Sequence, residues 1–300
     1  MSDVALTLDK RLTAPAPRSR LSRTWFSMRR SRQGMVGLTI VVVHLILAFT
    51  APLIAPYSPT HIEPSVRLEG PSADHLFGTD SFGRDNLSRV LYGGRVALLV
   101  SFTAAVVAVT WGGLLGILLG YLGGRVDEVV MRVIDGLLAI PSLLLIMLVI
   151  LALGSGFSVL VLTLGYGYGL TVVRIARGAT LAIVARDFIT AARARGERSR
   201  TIVLRELMPN VLDVLLVEFA MRSSWMLLAI ASLSFLGFGI SPPTPDWGRM
   251  VFENSELLAI APWGTVFPVI AISSMVIGIN LASDALSKAM GLERTQEAPL

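Results

Sequence analysis

Apolar stretches of membrane-spanning length alternate with polar connections along this chain, and the pattern predicts six transmembrane helices. About 20 apolar residues in a helix cross a hydrocarbon core of ~30 Å. The first stretch occupies 35–55, between Arg32 and Pro56, and the second 97–122. Residues 136–173 then carry no charge at all. As one helix that run would reach ~57 Å, too long for a single crossing. Gly154-Ser155-Gly156 is the natural break, giving spans near 130–153 and 157–177. The fifth span is placed at 211–238 and the sixth at 264–286. Between them, the proline-rich turn 241–248 cannot be helical throughout.

Finer patterning adds packing. Gly112, Gly116 and Gly120 recur every fourth residue and form one face on which another backbone can approach closely. Gly165, Gly167 and Gly169, with Tyr166 and Tyr168 between them, weaken the fourth span as a regular helix. They are read either as a packing device or as a pore-lining irregularity. His44 in the first span has no carboxylate within a turn or two, so a hydrogen-bonded packing role is favoured over a proton relay. Glu218 and Arg222 stand at i, i+4 in the fifth span, and Arg132 and Asp135 form a similar pair near the start of the third. Each pair serves as a structural ion pair or as lining of a translocation pathway, because a lone arginine at mid-membrane costs about 2.5–3.5 kcal/mol.

Composition agrees with the pattern. Of 300 residues 53% are hydrophobic and only 16% charged, against about 25% charged in soluble domains. The net charge of +5 resides in arginines that flank apolar spans, so nucleic acid is not an expected partner and membrane lipid is. The absence of cysteine excludes thiol catalysis and zinc–thiolate sites, and three scattered histidines supply neither a metal cluster nor a catalytic constellation. No cleavable signal is expected at the N-terminus. The chain divides into an N-terminal tail (1–33, with a short interfacial helix expected near Trp25), the first span with its external connection (34–96), a five-helix core (97–290) and a C-terminal tail (291–300).

Basic residues fix the orientation. The tails, the 121–132 turn and the 174–210 insert hold 20 lysines and arginines, the opposite side five. The excess places both termini and the insert in the cytoplasm. The expected fold is therefore an all-α membrane protein with six transmembrane helices, both termini cytoplasmic, and an organised cytoplasmic insert at 178–210. Within the insert, Phe188, Ala191, Ala192 and Arg195 share one helical face, Gly196 permits a sharp turn, and 197–207 reads as a second short helix ending before Pro209. On physical grounds it is either a partner-docking element or an amphipathic linker on lipid headgroups. At the outer side, Asp80, Arg84, Asp85 and Arg89 are spaced to pair on a helix (Asp80 with Arg84, Asp85 with Arg89), either as an interfacial helix or as a contact for a delivering protein.

The insert resembles the coupling loop of ATP-binding-cassette importer permeases, E-A-A, three residues, G, nine residues, I-x-L-P. Here Thr190-Ala191-Ala192 precedes Gly196 by that spacing, and Glu206-Leu207-Met208-Pro209 follows nine residues later. Thr190, Glu206 and Met208 depart from the pattern. The run from His75 to Arg89 is similar to the H-x-x-G-T-D-x-x-G-R-D-x-x-S-R stretch of the dipeptide/oligopeptide/nickel permease family, C-subunit type. Asp127, Arg132, Asp135, Pro141 and Ser142, then Leu233 to Gly239 and Pro242 to Gly248, match further blocks of that family, whereas Ser283 and Ala285 replace two glycines of its last block.

The resemblance implies a type I importer-like fold and a permease subunit of an ATP-driven, binding-protein-dependent importer of peptides or similar small solutes in the bacterial inner membrane. It implies that Asp187, Thr190, Ala191, Ala192, Gly196, Pro209 and Asn210 couple the permease to ATPases. Implied partners are a paralogous permease forming a heterodimer, two ATPase subunits carrying ATP and Mg, and an extracytoplasmic substrate-binding protein. The chain has no G-x-x-x-x-G-K-[ST] loop, so it is not itself expected to be an enzyme or to hold a cofactor. The alternative, an ion-coupled secondary transporter complete in one chain, predicts inverted repeats and mid-membrane acids that the sequence does not display.

Overall fold

The computed structural model describes residues 20–292, so the expectations for 1–19 and 293–300 lie outside the described residues. α1 (Arg20–Arg30) is amphipathic and leads through the N-cap Ser31, whose hydroxyl accepts from Gly34 N, into α2 (Arg32–Ile54). α1 is the short helix expected near Trp25, extended through the arginines; Trp25 and Phe26 are exposed, with Arg29 and Arg30 over their rings. After a long connection come α3 (Asn86–Leu122), α4 (Gly124–Leu138), α5 (Ser142–Leu153) and α6 (Phe157–Val184). α7 (Asp187–Ala194), α8 (Ser199–Phe235), α9 (Trp247–Asn254) and α10 (Trp263–Met290) complete the order. Among the described residues, five helices are long and apolar enough to cross a membrane, six if α4 and α5 count as one bent span.

Three expectations about the spans are corrected. The second span does not begin at residue 97: its helix starts at Asn86, because Asp85 caps it by accepting from Ser88 N at 2.8 Å. The third is not one helix over 130–153. α4 and α5 meet at a bend of 85°, because Pro141 has no N–H and its ring turns the preceding residue away from helical geometry. The fourth, despite its glycines, is a regular helix. Trp111 packs on Gly169 and donates from Nε1 to the Gly165 carbonyl at 3.1 Å, so the glycines admit a neighbour and the packing reading holds.

Close helix contact organises the bundle. α3 runs along α6 on its glycine face: a β-carbon at Gly116 would lie 2.5 Å from the Val173 carbonyl oxygen. α2 packs antiparallel on α10, where a β-carbon at Gly37 would meet the Ala282 nitrogen at 2.6 Å. His44 in α2 is held by the Ile40 carbonyl and by Ser274 of α10, a packing role. The largest core joins α3, α5, α6 and α8 through Val100, Ile146, Leu164, Met226 and Ile230. With α2 and α3 antiparallel, the start of α2, the end of α3 and α7 share one end of the bundle, while the 55–85 connection and α9 share the other.

Candidate functional site

α7 is set off from α6 by extended backbone at Arg186. Its inner face is Ile189 and Ala192, fully buried against Ile117, Ile183, Ile202, Leu207 and Val211. Phe188, Thr190, Ala191, Arg193 and Arg195 remain exposed, as does Asp187. The expected common face is therefore corrected: Ala192 anchors the helix inward and only Ala191 of the two alanines faces out. Ile189 outcompetes Phe188 for the core, turning the helix so that the i, i+3 pair Ile189 and Ala192 points in.

A two-bond turn closes α7, with Gly196 N donating to Arg193 O and Glu197 N to Ala192 O. Gly196 has a φ of +74°, which L side chains adopt at a cost. Arg193 stacks over Tyr121 at 5.2 Å, and Arg195 pairs with Glu197. The second short helix does not end before Pro209. It continues into α8 through a widened π turn, Ile202–Leu207, where Met208 N reaches back to Val203 O. That turn accommodates the proline, and Asn210 Nδ2 donates to the Glu206 carbonyl at 2.6 Å within it.

Near this end, Arg132 and Asp135 are not brought together. Arg132 pairs with Glu128 one turn back at 3.0 Å, exposed to solvent, whereas Asp135 receives Arg174 of α6. Direction explains the difference: i, i+4 partners stack along a helix, and Asp135 instead faces α6. Asp127 binds Arg177 of α6 through both oxygens. Together these groups line a charged basin of about 600 Å³. Sequence reasoning counted Arg174 and Arg177 only as flanking charge. Their three-residue spacing, one turn, beside two acids was the available signal.

Glu218 and Arg222 do pair, Nε to Oε2 at 3.0 Å, with Glu218 buried behind the arginine. At the far end, Asp80 and Arg84 pair as expected at 2.7 Å, but in a tight loop rather than on a helix. Asp85 does not pair with Arg89; it caps α3 and accepts from His75 Nδ1 at 3.0 Å. Arg89 reaches Glu253 of α9 instead, at 3.0 Å, and Arg84 shares the same oxygen at 2.8 Å. Burial alone would raise the Glu253 carboxyl; Arg249, Arg89 and Arg84 overcome it and hold the group below its usual value. Burial pushes the Asp246 carboxyl up, opposed by the Arg249 and Gly248 amides that it caps.

Residues 112–291 match the family described as binding-protein-dependent transport system inner membrane component, and residues 19–71 match the N-terminal TM domain of oligopeptide transport permease C. The chain is 34% identical over 263 residues to the dipeptide transport system permease protein DppC of Alkalihalophilus pseudofirmus, covering 88% of this chain and 86% of that protein. To the DppC of Haemophilus influenzae it is 33% identical over 296 residues, 97% and 98% of the two chains. To the glutathione transport system permease protein GsiD of Escherichia coli it is 38% identical over 267 residues, 89% and 88%. With its bundle of membrane-length helices, the chain belongs to the inner-membrane components of binding-protein-dependent transport systems, as a permease subunit of the oligopeptide permease C type.

Proposed function

We propose that this permease subunit moves short peptides inward, driven by ATPase subunits that grip α7 from the cytoplasm. The observation that carries the reading is the division of α7 into a buried anchor, Ile189 and Ala192, and an exposed face, Phe188, Thr190, Ala191 and Arg193. A short helix fixed to the bundle on one side and open on the other passes an external movement to the helices beside it. α8 follows α7 after the short connection 195–198, closed by the Gly196 and Glu197 turn, so displacement of α7 is carried into a membrane-length helix. The basic bias of the α7 end supports a cytoplasmic location for it and for both termini. Peptide as cargo is supported by the transport names of the relatives, dipeptide and glutathione among them. A paralogous permease, two ATPases carrying ATP and Mg, and a solute-binding protein on the α9 side complete the assembly in this reading.

Mild-detergent purification of the tagged chain from its host, followed by mass spectrometry, tests the partners. Co-recovery of a second permease chain and P-loop ATPases is the expected result; recovery of this chain alone, transporting in liposomes on an ion gradient, refutes the reading. Gly196→Val tests the lever. Forcing a branched residue to a φ of +74° strains the turn by about 1–2 kcal/mol. ATP hydrolysis should continue while peptide uptake falls, and uptake at the wild-type rate would count against α7 as the lever.

A further inference from the structure

A cleft of about 310 Å³ opens where the third span is broken, with Pro141, Ser142, Tyr168, Thr171, Arg222 and Trp225 in its wall. Arg222 lies midway along the Met208–Phe235 stretch and Thr171 midway along α6, so the cleft sits at the middle of two spans. Two independent features meet there. One is the interrupted backbone between Leu138 and Ser142, a kind of irregularity tolerated at membrane depth only inside protein or beside a water-filled cavity. The other is a charged pair with a definite direction. Glu218 is buried behind, while Arg222 spends only Nε on it; the remaining guanidinium nitrogens have no other hydrogen bond among the described residues and are not sealed from solvent.

Arg222 thus borders the cleft with donors that its partner Glu218 does not use. Here the guanidinium shares the wall with the hydroxyls of Ser142, Tyr168 and Thr171 and with the exposed indole of Trp225. Beside Leu138, Leu145 and Leu170, such a wall offers donors and an aromatic face, which suits a short peptide with apolar side chains, carbonyls and a carboxylate. Glu218 reduces the pair to zero net charge. A bare arginine would hold a carboxylate too tightly for onward passage, and would itself be costly at this depth.

We propose that this cleft is a solute-contact site of the translocation pathway, in which Arg222 and the neighbouring hydroxyls engage the carboxylate and backbone carbonyls of a short peptide. The inference rests on the reading of the chain as a peptide permease subunit. Glu218 is a positioning residue: it aims the guanidinium and tempers its charge.

The test uses the whole transporter, with its partner subunits and binding protein, in proteoliposomes containing ATP and supplied with radiolabelled trialanine. Trp225→p-benzoylphenylalanine places a photo-crosslinker in the cleft wall, and Phe49→p-benzoylphenylalanine places one on the exposed surface of α2 as a control. Crosslinking at 225, but not at 49, should require ATP and the binding protein and be competed by unlabelled trialanine. Adding Glu218→Gln with Arg222→Gln should cut that crosslink about tenfold or more, as expected for losing a charge-assisted hydrogen bond. Co-purification of the partner subunits with the variant reports its assembly. Uptake without any crosslink at 225, or a crosslink unchanged by the double substitution, overturns the proposal while leaving the peptide reading intact. Should the double variant fail to assemble, Tyr168→Phe and Thr171→Val read the same yield, and no change in either overturns it. If the wild-type complex takes up neither trialanine nor other short peptides, the peptide reading fails and this inference falls with it.

Discussion

Asp127 on α4 grips the Arg177 guanidinium of α6 with both carboxylate oxygens, tying the first half of the broken span to its neighbour. Asp127 is nearly buried and Arg177 partly so, which limits screening by water. Asp127→Asn should lower stability by about 1 kcal/mol, measured as a fall in melting temperature in detergent. The exchange Asp127→Arg with Arg177→Asp should recover part of the loss. No change in the single variant would show the pair to be incidental.

The two alanines of α7 make a paired experiment. Ala192→Glu forces a carboxylate into a site that is 1% exposed, and should destabilise the docked helix by several kcal/mol. Ala191→Glu, at an exposed position, should leave melting unchanged and weaken association with the ATPases. The opposite pattern in a melting and pull-down comparison would reverse the assignment of faces.

Gly116→Ala would place a methyl 2.5 Å from the Val173 carbonyl oxygen and 2.7 Å from Ala176 Cβ. Separation of α3 and α6 should cost about 1–3 kcal/mol. A melting temperature within error of wild type would mean that these helices are not in close contact.

The Glu253 carboxyl is held below the usual value of about 4.3 by three arginines acting against its burial. The unfolded chain then binds this proton more readily than the folded one, so stability rises with pH through that region. Its contribution is complete above the unfolded value and is lost as pH falls through the lowered folded value. Glu253→Gln should flatten the acid limb of a melting profile below about pH 5. An unchanged limb would show that other carboxylates govern it.

The sequence carried the order of the long apolar helices because hydropathy and length are local properties. It also carried the Gly112, Gly116, Gly120 face, since four-residue spacing is visible without a partner. The break at Pro141 was hidden inside an uncharged run, where apolar character stays constant while backbone direction changes by 85°. The partners of Arg89, Asp135 and Arg174 were illegible for another reason: they lie on different helices, and spacing along one helix proposes only its own neighbours. α9 was missed beside a proline-rich turn, although Asp246 ahead of Trp247-Gly248 is an N-cap signal of the ordinary kind. On α7 the sequence supplied the helix but not its rotation, which the burial of Ile189 decides.

The contact of α2 with α10 sets a condition on how the chain is made. Gly34 and Gly37, near the start of α2, make their tightest contacts with Ala285, Gly278 and Ala282 of α10. While the ribosome is still working, α2 therefore sits in the bilayer with one narrow face unmatched until α10 follows it out and closes it. Loss of α10 would leave the newborn protein with an open seam on α2, available to quality-control proteases before any transport is attempted.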